Sequence, residues 1–575
     1  MLDVEAPPSP ERPTTATRRP RWRISRNLLV MVALIAVIGY FTIGPVAYLI
    51  NGTFSGDSGF TLEYIRSTYT APGVGDTILT TVLYAVGSAV FAVVLGASLA
   101  FVVARTDTPA KSLVIAASLV PLIIPGVLHT IAWLLLASPQ IGALNSLPGV
   151  HVNIFSMWGM MFVQGLHTAP LVFLLTLTAF RGMDPSLEEA SLAAGSSIPR
   201  MLRKVTLPLA LPALLGSLII AVVTGLESFE VPVLLGAYEG NRVVTSEIWD
   251  ALNAYPIRYG EAGAYALGLL VLTVTGVYLY SRVLRNGKRY ATVTGKGFRP
   301  RTINLGPYRW VAAAFVALYF LVAIIMPIFI LVYASTQKIY TAPSVETLTH
   351  PGADNYRSIF ANPDTVTSLK NSAVLAVGSA TVVIAIMGFT AWFMARSKLK
   401  GRWLLDAVST APIAIPSVVI GVALLFVYLR APVPIYGTLW ILFIAYVTRY
   451  LPYGMRYASS AMSQISVELD EASEVSGASV PRTLRKIVFP LLAPGLLAGW
   501  IYIFIVSIRE LASSLLLYSP GNQVLSILIW EQYQNGSIGG LAAVGTLLIA
   551  ALVIFVTILL TLSRKSGASD IGGRI

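Results

Sequence analysis

Residues 184–208 read DPSLEEASLAAGSSIPRMLRKVTLP, and residues 466–490 read SVELDEASEVSGASVPRTLRKIVFP. At an offset of 282 residues the two stretches share Glu189 with Glu471, Ala190 with Ala472, Ser191 with Ser473 and Gly195 with Gly477. They also share Pro199 with Pro481, Arg203-Lys204 with Arg485-Lys486, and Pro208 with Pro490. Each stretch is polar and lies between long apolar runs. Two copies of one polar segment, each set in apolar sequence, mark the chain as two tandem halves.

The apolar sequence decides the class. Of 575 residues, 55% are hydrophobic and 12% charged, with a mean hydropathy of +0.74. A soluble domain carries roughly 25% charged residues, so a bilayer is the simpler solvent for this chain. There is no cysteine, which excludes disulfides, thiolate metal sites and cysteine nucleophiles. Four scattered histidines do not make a histidine-rich metal site. The net charge of +13 invites a nucleic-acid reading, which the distribution of the charges can test.

Apolar runs of spanning length fall near 28–50, 77–104, 112–137, 154–180, 209–238, 263–284, 309–334, 371–395, 403–428, 438–461, 491–518 and 538–562. Pro121, Pro125, Pro412 and Pro416 lie inside such runs, where neighbouring groups re-satisfy the backbone that proline frees. Residues 1–27 are rich in Pro, Thr and Arg and read as a disordered basic tail, not a cleaved signal peptide. With the amino terminus inside, cations gather in that tail, in the linker 285–308 and in the loop holding Arg396, Lys398, Lys400 and Arg402. The opposite side holds only a few, mixed with acids. This is the positive-inside pattern, and it accounts for the net charge without nucleic acid. Both termini, including a tail at 563–575, then lie in the cytoplasm.

The repeat extends beyond the polar segments. Ala85-Val86-Gly87-Ser88-Ala89 recurs as Ala376-Val377-Gly378-Ser379-Ala380, Ala104-Arg105 as Ala395-Arg396, and Pro121 and Pro125 as Pro412 and Pro416. The offset here is 291, nine more than at the polar segments, which predicts a longer external loop at 138–153. The halves 28–284 and 309–562 both start inside and are parallel repeats, related by a pseudo-twofold axis along the membrane normal. The expected fold is an all-α integral membrane protein of about twelve spans, two six-helix repeats.

Within each polar segment, Asp184 or Ser466 suits a helix N-cap, and Pro185 suits the first turn. Glu188 and Glu189 lie at the positive end of that helix dipole. Gly195 suits a left-handed stop, and Ser196-Ser197 with Pro199 start a second helix. The pattern is a short helix, a bend and a second helix across the cytoplasmic mouth. An ordinary loop would not repeat so many positions. The segments resemble the EAA loop of ABC importer permeases, which docks on the ATP-hydrolysing subunit. That resemblance makes Glu189, Ala190, Gly195, Pro199 and Pro208, and Glu471, Ala472, Gly477, Pro481 and Pro490, the docking residues.

No Gly-x4-Gly-Lys-Ser/Thr loop occurs in the chain. The resemblance therefore implies two copies of a separate ATPase subunit that bind ATP and Mg, no cofactor in this chain, and no covalent chemistry by it. It also implies an external substrate-binding protein docking around 51–76, 239–262, 335–370 and 519–537, and a bacterial cytoplasmic membrane. The competing class is an ion-coupled carrier with internal repeats, which needs no docking helices and usually displays acids at mid-membrane.

Arg449-Tyr450-Leu451-Pro452-Tyr453, the run Arg509 to Tyr518, and Phe229-Glu230-Val231-Pro232 resemble the fused ferric-iron-type branch of these permeases. Relatives in that group are assigned to ferric iron, polyamines, aminoethylphosphonate or thiamine. Ionisable residues in spans usually face a bundle interior or water. Here they are Glu227, Glu230, Arg449, Arg509 and Glu510, with His129 and His167 as further intramembrane polar residues. These are the candidates for the translocation path, and interhelical structural pairing is the alternative reading. Glu227 corresponds to Arg509 at offset 282, so the two are expected to face each other as opposite charges. Arg509 and Glu510, as sequence neighbours, are not expected to share a helix face. Glu227, Glu230 and Glu510 are candidate transient ligands for a hard cation, against which Arg449 and Arg509 argue. Each histidine alone reads as a hydrogen-bonded packing residue.

Overall fold

The computed structural model describes residues 26–56, 59–118, 120–184, 186–287, 302–397, 399–429 and 432–565. Most of the basic tail, Pro185, the linker cations Lys288 to Arg301, Lys398 and residues 566–575 lie outside the described residues.

The main helices are α1 (Arg26–Phe54), α2 (Val74–Arg105), α3 (Gly126–Ala137), α4 (Met157–Gly182), α5 (Ser186–Ala193), α6 (Ile198–Glu227) and α7 (Tyr259–Gly287) in the first half. The second half holds α8 (Gly306–Thr336), α9 (Pro363–Arg396), α10 (Ser417–Tyr428), α11 (Leu439–Met462), α12 (Glu468–Val475), α13 (Val480–Ile508) and α14 (Ile538–Lys565). Among the described residues the β structure with named strands is one two-residue pair, Ser55–Gly56 with Gly59–Phe60. Nine helices among the described residues are long and apolar enough to cross a membrane. The chain is a multi-pass, all-α membrane protein.

Twelve spans were expected, and three of them differ in kind. The runs at 112–137 and 403–428 are bent by 96° and 105° at their proline pairs, so each is a broken apolar run and not one continuous helix. Proline removes a backbone donor and crowds the carbonyl four residues back. With two prolines four residues apart, the helix stops in a 3-10 turn at Val120–Leu122 or Ala411–Ala414 and restarts in a new direction. The run at 438–461 forms α11, a 24-residue helix too polar to be counted with the nine, because it carries Arg449, Arg456 and four tyrosines.

The two halves superpose in sequence as expected. Nineteen residues separate α3 from α4 and ten separate α10 from α11, so the nine-residue change of offset falls in the loop beginning at 138. Proline also explains a feature shared by three helices. Wide π turns at Leu202–Thr206, Leu321–Ile325 and Leu484–Val488 each end two residues before a proline, at Pro208, Pro327 and Pro490. A π turn relieves the crowding without ending the helix.

Burial ranks the helices. In α4, 72% of the apolar window is buried, against 22% in α1, which places α4 centrally and α1 at the lipid boundary. The first span of each half packs on the other half. Helix α1 lies along α10, with Tyr40 and Tyr428 sharing a hydrogen bond of 2.7 Å. Gly52 of α1 leaves no room for a Cβ beside Phe426, the close approach that small residues allow between membrane helices. Helix α8 packs on α3 and α14 in the corresponding way, and Tyr340 just beyond it donates to the Leu135 carbonyl at 2.8 Å.

Candidate functional site

Both expected spans that carry the intramembrane acids stop early. Helix α6 ends at Glu227 and α13 at Ile508, although continuous spans were expected to 238 and 518. Short helices follow at Glu230–Leu235 and Ala512–Leu517. The freed backbone is satisfied alike in both halves: Thr245 donates to the Ser228 carbonyl at 2.8 Å and Ser526 to the Glu510 carbonyl at 2.7 Å. Serine and threonine hydroxyls commonly re-satisfy such breaks within a membrane.

The breaks place charge where the two halves meet. A cavity of about 310 Å³ is lined by Glu227, Glu230, Arg449, Arg509 and Glu510, together with His167, Tyr450, Tyr453 and Tyr502. All five sequence candidates are therefore brought together, from both halves. Arg509 and Glu510 both line it because they lie beyond the end of α13, where the helical separation of neighbours no longer applies.

The charges do not pair as expected. Glu227 accepts from Arg449 at 2.6 Å, not from Arg509. Arg449 also donates to the Ile415 carbonyl at 2.9 Å, beside the second proline break, while Arg509 donates to the Leu122 carbonyl at the first. Each broken run ends in carbonyls that attract a cation, and Arg509 is taken up by one of them. Glu510 accepts from Tyr450 at 3.1 Å and from the Ser513 hydroxyl and amide at 3.0 and 3.1 Å. The Glu230 carboxylate lies against the amino-terminal turn of α3, where a Cβ on Gly126 would sit 3.4 Å from it. Each carboxylate thus has its own environment. Among the described residues no three His, Cys, Asp or Glu side chains are grouped to hold a metal ion.

His129 and His167 are neighbours, with ring centroids 5.3 Å apart; His167 lines the cavity and His129 is buried. A second, apolar cavity of about 960 Å³ runs along α13 from Phe489 to Arg509. It shares Leu122, Leu171, Tyr502, Val506 and Arg509 with the polar one, so the Arg509–Leu122 contact lies at their common wall.

The two polar repeats fold as matched units. In the first, the Ser186 amide donates to Asp184 Oδ1 at 2.9 Å, and in the second the Glu468 amide donates to Ser466 Oγ at 3.3 Å, each bond spanning two residues at the start of the helix. Helices α5 and α12 close on Gly195 and Gly477, whose φ values are +83° and +76°. The amide after each glycine bonds back five residues, Ser196 to Ser191 and Ala478 to Ser473, both at 3.1 Å. That is the glycine-terminated stop described for helix C-termini. The second helix of each unit does not lie separately across the mouth: it runs without a break into the span, forming α6 and α13. Glu189, Ala190, Gly195, Pro199 and Pro208 are exposed, as are Glu471, Ala472, Gly477, Pro481 and Pro490.

Inward contacts of these units were not foreseen. Glu188 is buried and pairs with Arg105 at the end of α2; its other oxygen accepts from Thr206 at 2.7 Å. Asp470 pairs with Arg396 at the end of α9. The sequence signal was the recurrence of Ala104-Arg105 as Ala395-Arg396, which marks the repeat but names no partner for either arginine.

The protein family described as binding-protein-dependent transport system inner membrane component matches residues 92–340 and 385–566. A ferric transport system permease protein, FbpB, of Actinobacillus pleuropneumoniae is 27% identical over 71% of this chain and 58% of its own length. A putative ferric transport system permease protein, FbpB 1, of Haemophilus influenzae is 27% identical over 66% of this chain and 59% of its own length. A probable ABC transporter permease protein, y4fN, of Sinorhizobium fredii is 30% identical over 71% of this chain and 73% of its own length. The chain thus spans just under three-fifths of the two ferric-type relatives. With matches in both halves covering most of its length, it belongs to the family of binding-protein-dependent transport system inner membrane components.

Proposed function

We propose that this chain is the fused permease of an ABC importer, working with two copies of an ATPase subunit and an external binding protein. One observation carries the reading: each exposed polar unit continues into a single helix that ends at the charged cavity. Helix α6 runs from Ile198 to Glu227 and α13 from Val480 to Ile508, 30 and 29 residues, or about 45 Å each at 1.5 Å per residue. Force applied at Gly195 or Gly477 therefore has a rigid route to Glu227 or Arg509. The ATPase subunits hold ATP and Mg and grip α5 and α12. Their closure moves the two units, and the halves rock between inward- and outward-facing states. Both termini lie in the cytoplasm, and the chain itself makes and breaks no covalent bond.

The solute best supported is ferric iron, which the names of two relatives carry. It passes as a transient guest, because the carboxylates of the cavity are separately engaged and two arginines stand among them. Polyamine, aminoethylphosphonate or thiamine import is the second reading, and the mixed charge of the cavity is what favours it. The test is the complete importer in proteoliposomes, assayed for ATPase stimulation and uptake with ferric iron, putrescine, aminoethylphosphonate and thiamine. Uptake of ferric iron alone supports the first reading. Uptake of another solute replaces iron, and uptake without ATPase subunits, driven by an ion gradient, removes the importer.

A further inference from the structure

The recurrence of an arginine at the ends of α2 and α9 has no place in the docking or cavity chemistry, yet the structure gives both arginines the same partner. Arg105 is fully buried and its guanidinium pairs with Glu188, the residue before the docking Glu189. Arg396 pairs with Asp470, the residue before the docking Glu471. The arginines correspond at offset 291 and the acids at offset 282, so one contact has been kept across two different registers. Two surface charges meeting by chance would not repeat in this way.

The first pair is the more deeply tied. Its side chains are 0% and 6% exposed, against 14% and 19% for the second. Glu188 is also held by Thr206, which lies in the π turn of α6, so α2, α5 and α6 meet at one carboxylate. The backbone of the segment joining the halves is fixed at the same place: the Ile303 amide donates to the Arg105 carbonyl at 2.7 Å, and the Asp107 amide to the Ile303 carbonyl at 3.1 Å. In the second unit Arg396 instead donates to the Ile465 and Ser466 carbonyls, both at 3.2 Å, and the position matching Thr206 is Val488.

Helix α2 leads from this knot to the cavity. Tyr84, 21 residues before Arg105 and so about 32 Å along a helix axis, shares a hydrogen bond of 2.9 Å with Ser228, the residue after Glu227. Ser88, one turn on, packs on Gly225, where a Cβ would come within 3.1 Å of its Oγ. Helix α2 is thus fastened to the docking unit at one end and to the break of α6 at the other.

We propose that Arg105 and Arg396 are positioning residues for coupling: they clamp the docking units to α2 and α9, making these helices a second route from ATPase to cavity, with the first unit the tighter of the two. The proposal rests on the docking reading of the polar units. The clamp stays closed through the cycle, because opening it would leave Arg105 and Glu188 buried without each other, an arrangement far less favourable than the pair. The docking unit and the cytoplasmic end of α2 therefore move as one body.

The test uses the full chain assembled with its ATPase subunits in proteoliposomes. The chain has no cysteine, so Thr224→Cys places a single thiol on the cavity wall. The readouts are co-purification of the ATPase subunits and the change in maleimide labelling of that thiol when ATP is added. Arg105→Met, and the paired Arg105→Met with Glu188→Leu that leaves no buried charge unpaired, are compared with Arg396→Met. We expect all three to retain the ATPase subunits. The ATP-driven change in labelling should fall at least about fivefold in both Arg105 variants and about twofold in Arg396→Met. A merely structural role would lower the yield of complex and leave the labelling change per complex intact. An unaltered change in the paired variant overturns the proposal even if Arg105→Met alone does not assemble. Failure of the ATPase subunits to co-purify with the unsubstituted chain overturns the docking reading instead.

Discussion

Gly195 closes helix α5 at φ +83°, and a Cβ built on it meets no atom within 4 Å. Any effect of a side chain there comes from the backbone alone. The left-handed region disfavours L-residues other than glycine by roughly 1–2 kcal/mol, and least for asparagine. At 1.4 kcal/mol per factor of ten, Gly195→Ala should lower the equilibrium constant for closing the docking unit about fivefold to thirtyfold. Gly195→Val should exceed this, because a β-branched residue is a stronger outlier at positive φ, and Gly195→Asn should stay within about threefold of the parent on the same scale. The assay is the dependence of ATP-driven uptake on ATPase-subunit concentration in proteoliposomes. The half-saturating concentration should rise in the order Gly, Asn, Ala, Val, with the amount of inserted chain unchanged. If Asn and Val behave alike, left-handed geometry is not what docking needs. If all three match the parent, the docking role of the unit is wrong.

Three further outcomes follow from the geometry. Glu227→Gln or Arg449→Met leaves one charge of a part-buried pair without its partner and should destabilise the purified protein by up to about 3–5 kcal/mol, the figure for a fully buried pair, whereas Glu227→Met with Arg449→Met should recover most of that loss; thermal unfolding in detergent reads both. Arg509→Met removes the contact with the Leu122 carbonyl at the wall common to the two cavities, and should raise severalfold the labelling rate of a thiol placed in the polar cavity by Thr168→Cys, Thr168 being one of its lining residues, when the reagent is given from the cytoplasmic side. Gly52→Leu drives a side chain into Phe426 and should cost about 1–3 kcal/mol, the range for overpacking, seen as a lower unfolding temperature.

Much of this architecture was legible because repetition and proline are local signals. The offsets of 282 and 291 located the extra loop before α4, and the glycine and capping positions of α5 and α12 followed from residue type. What hydropathy could not convey was direction. The run at 209–238 carries Glu227, Ser228, Glu230 and Pro232 within otherwise apolar sequence, and hydropathy averaged over the run hides the break after Glu227; it depends on Thr245, seventeen residues past Ser228, reaching the carbonyl it frees. The Glu227–Arg509 pairing failed for a related reason. Pseudo-symmetry equates positions but not partners, and Arg509 found a carbonyl at a proline break where Glu227, an acceptor, could not. Nothing in the sequence marked Arg105 as buried, because an arginine at the end of a span is ordinarily solvated, and only the folded chain shows it buried against Glu188.

The exchange of first spans also sets a timetable for biogenesis. Among the described helices α1 is synthesised first, and α10, the helix it clasps in the second half, begins about 360 residues after α1 ends. At about 5–20 residues per second of synthesis, α1 waits roughly 20–70 s for that surface to exist. Its composition suits the wait, since only 22% of its apolar window is buried in the finished protein and most of the rest needs no protein partner. A helix with little to lose from solitude is thus one that can wait for its partner.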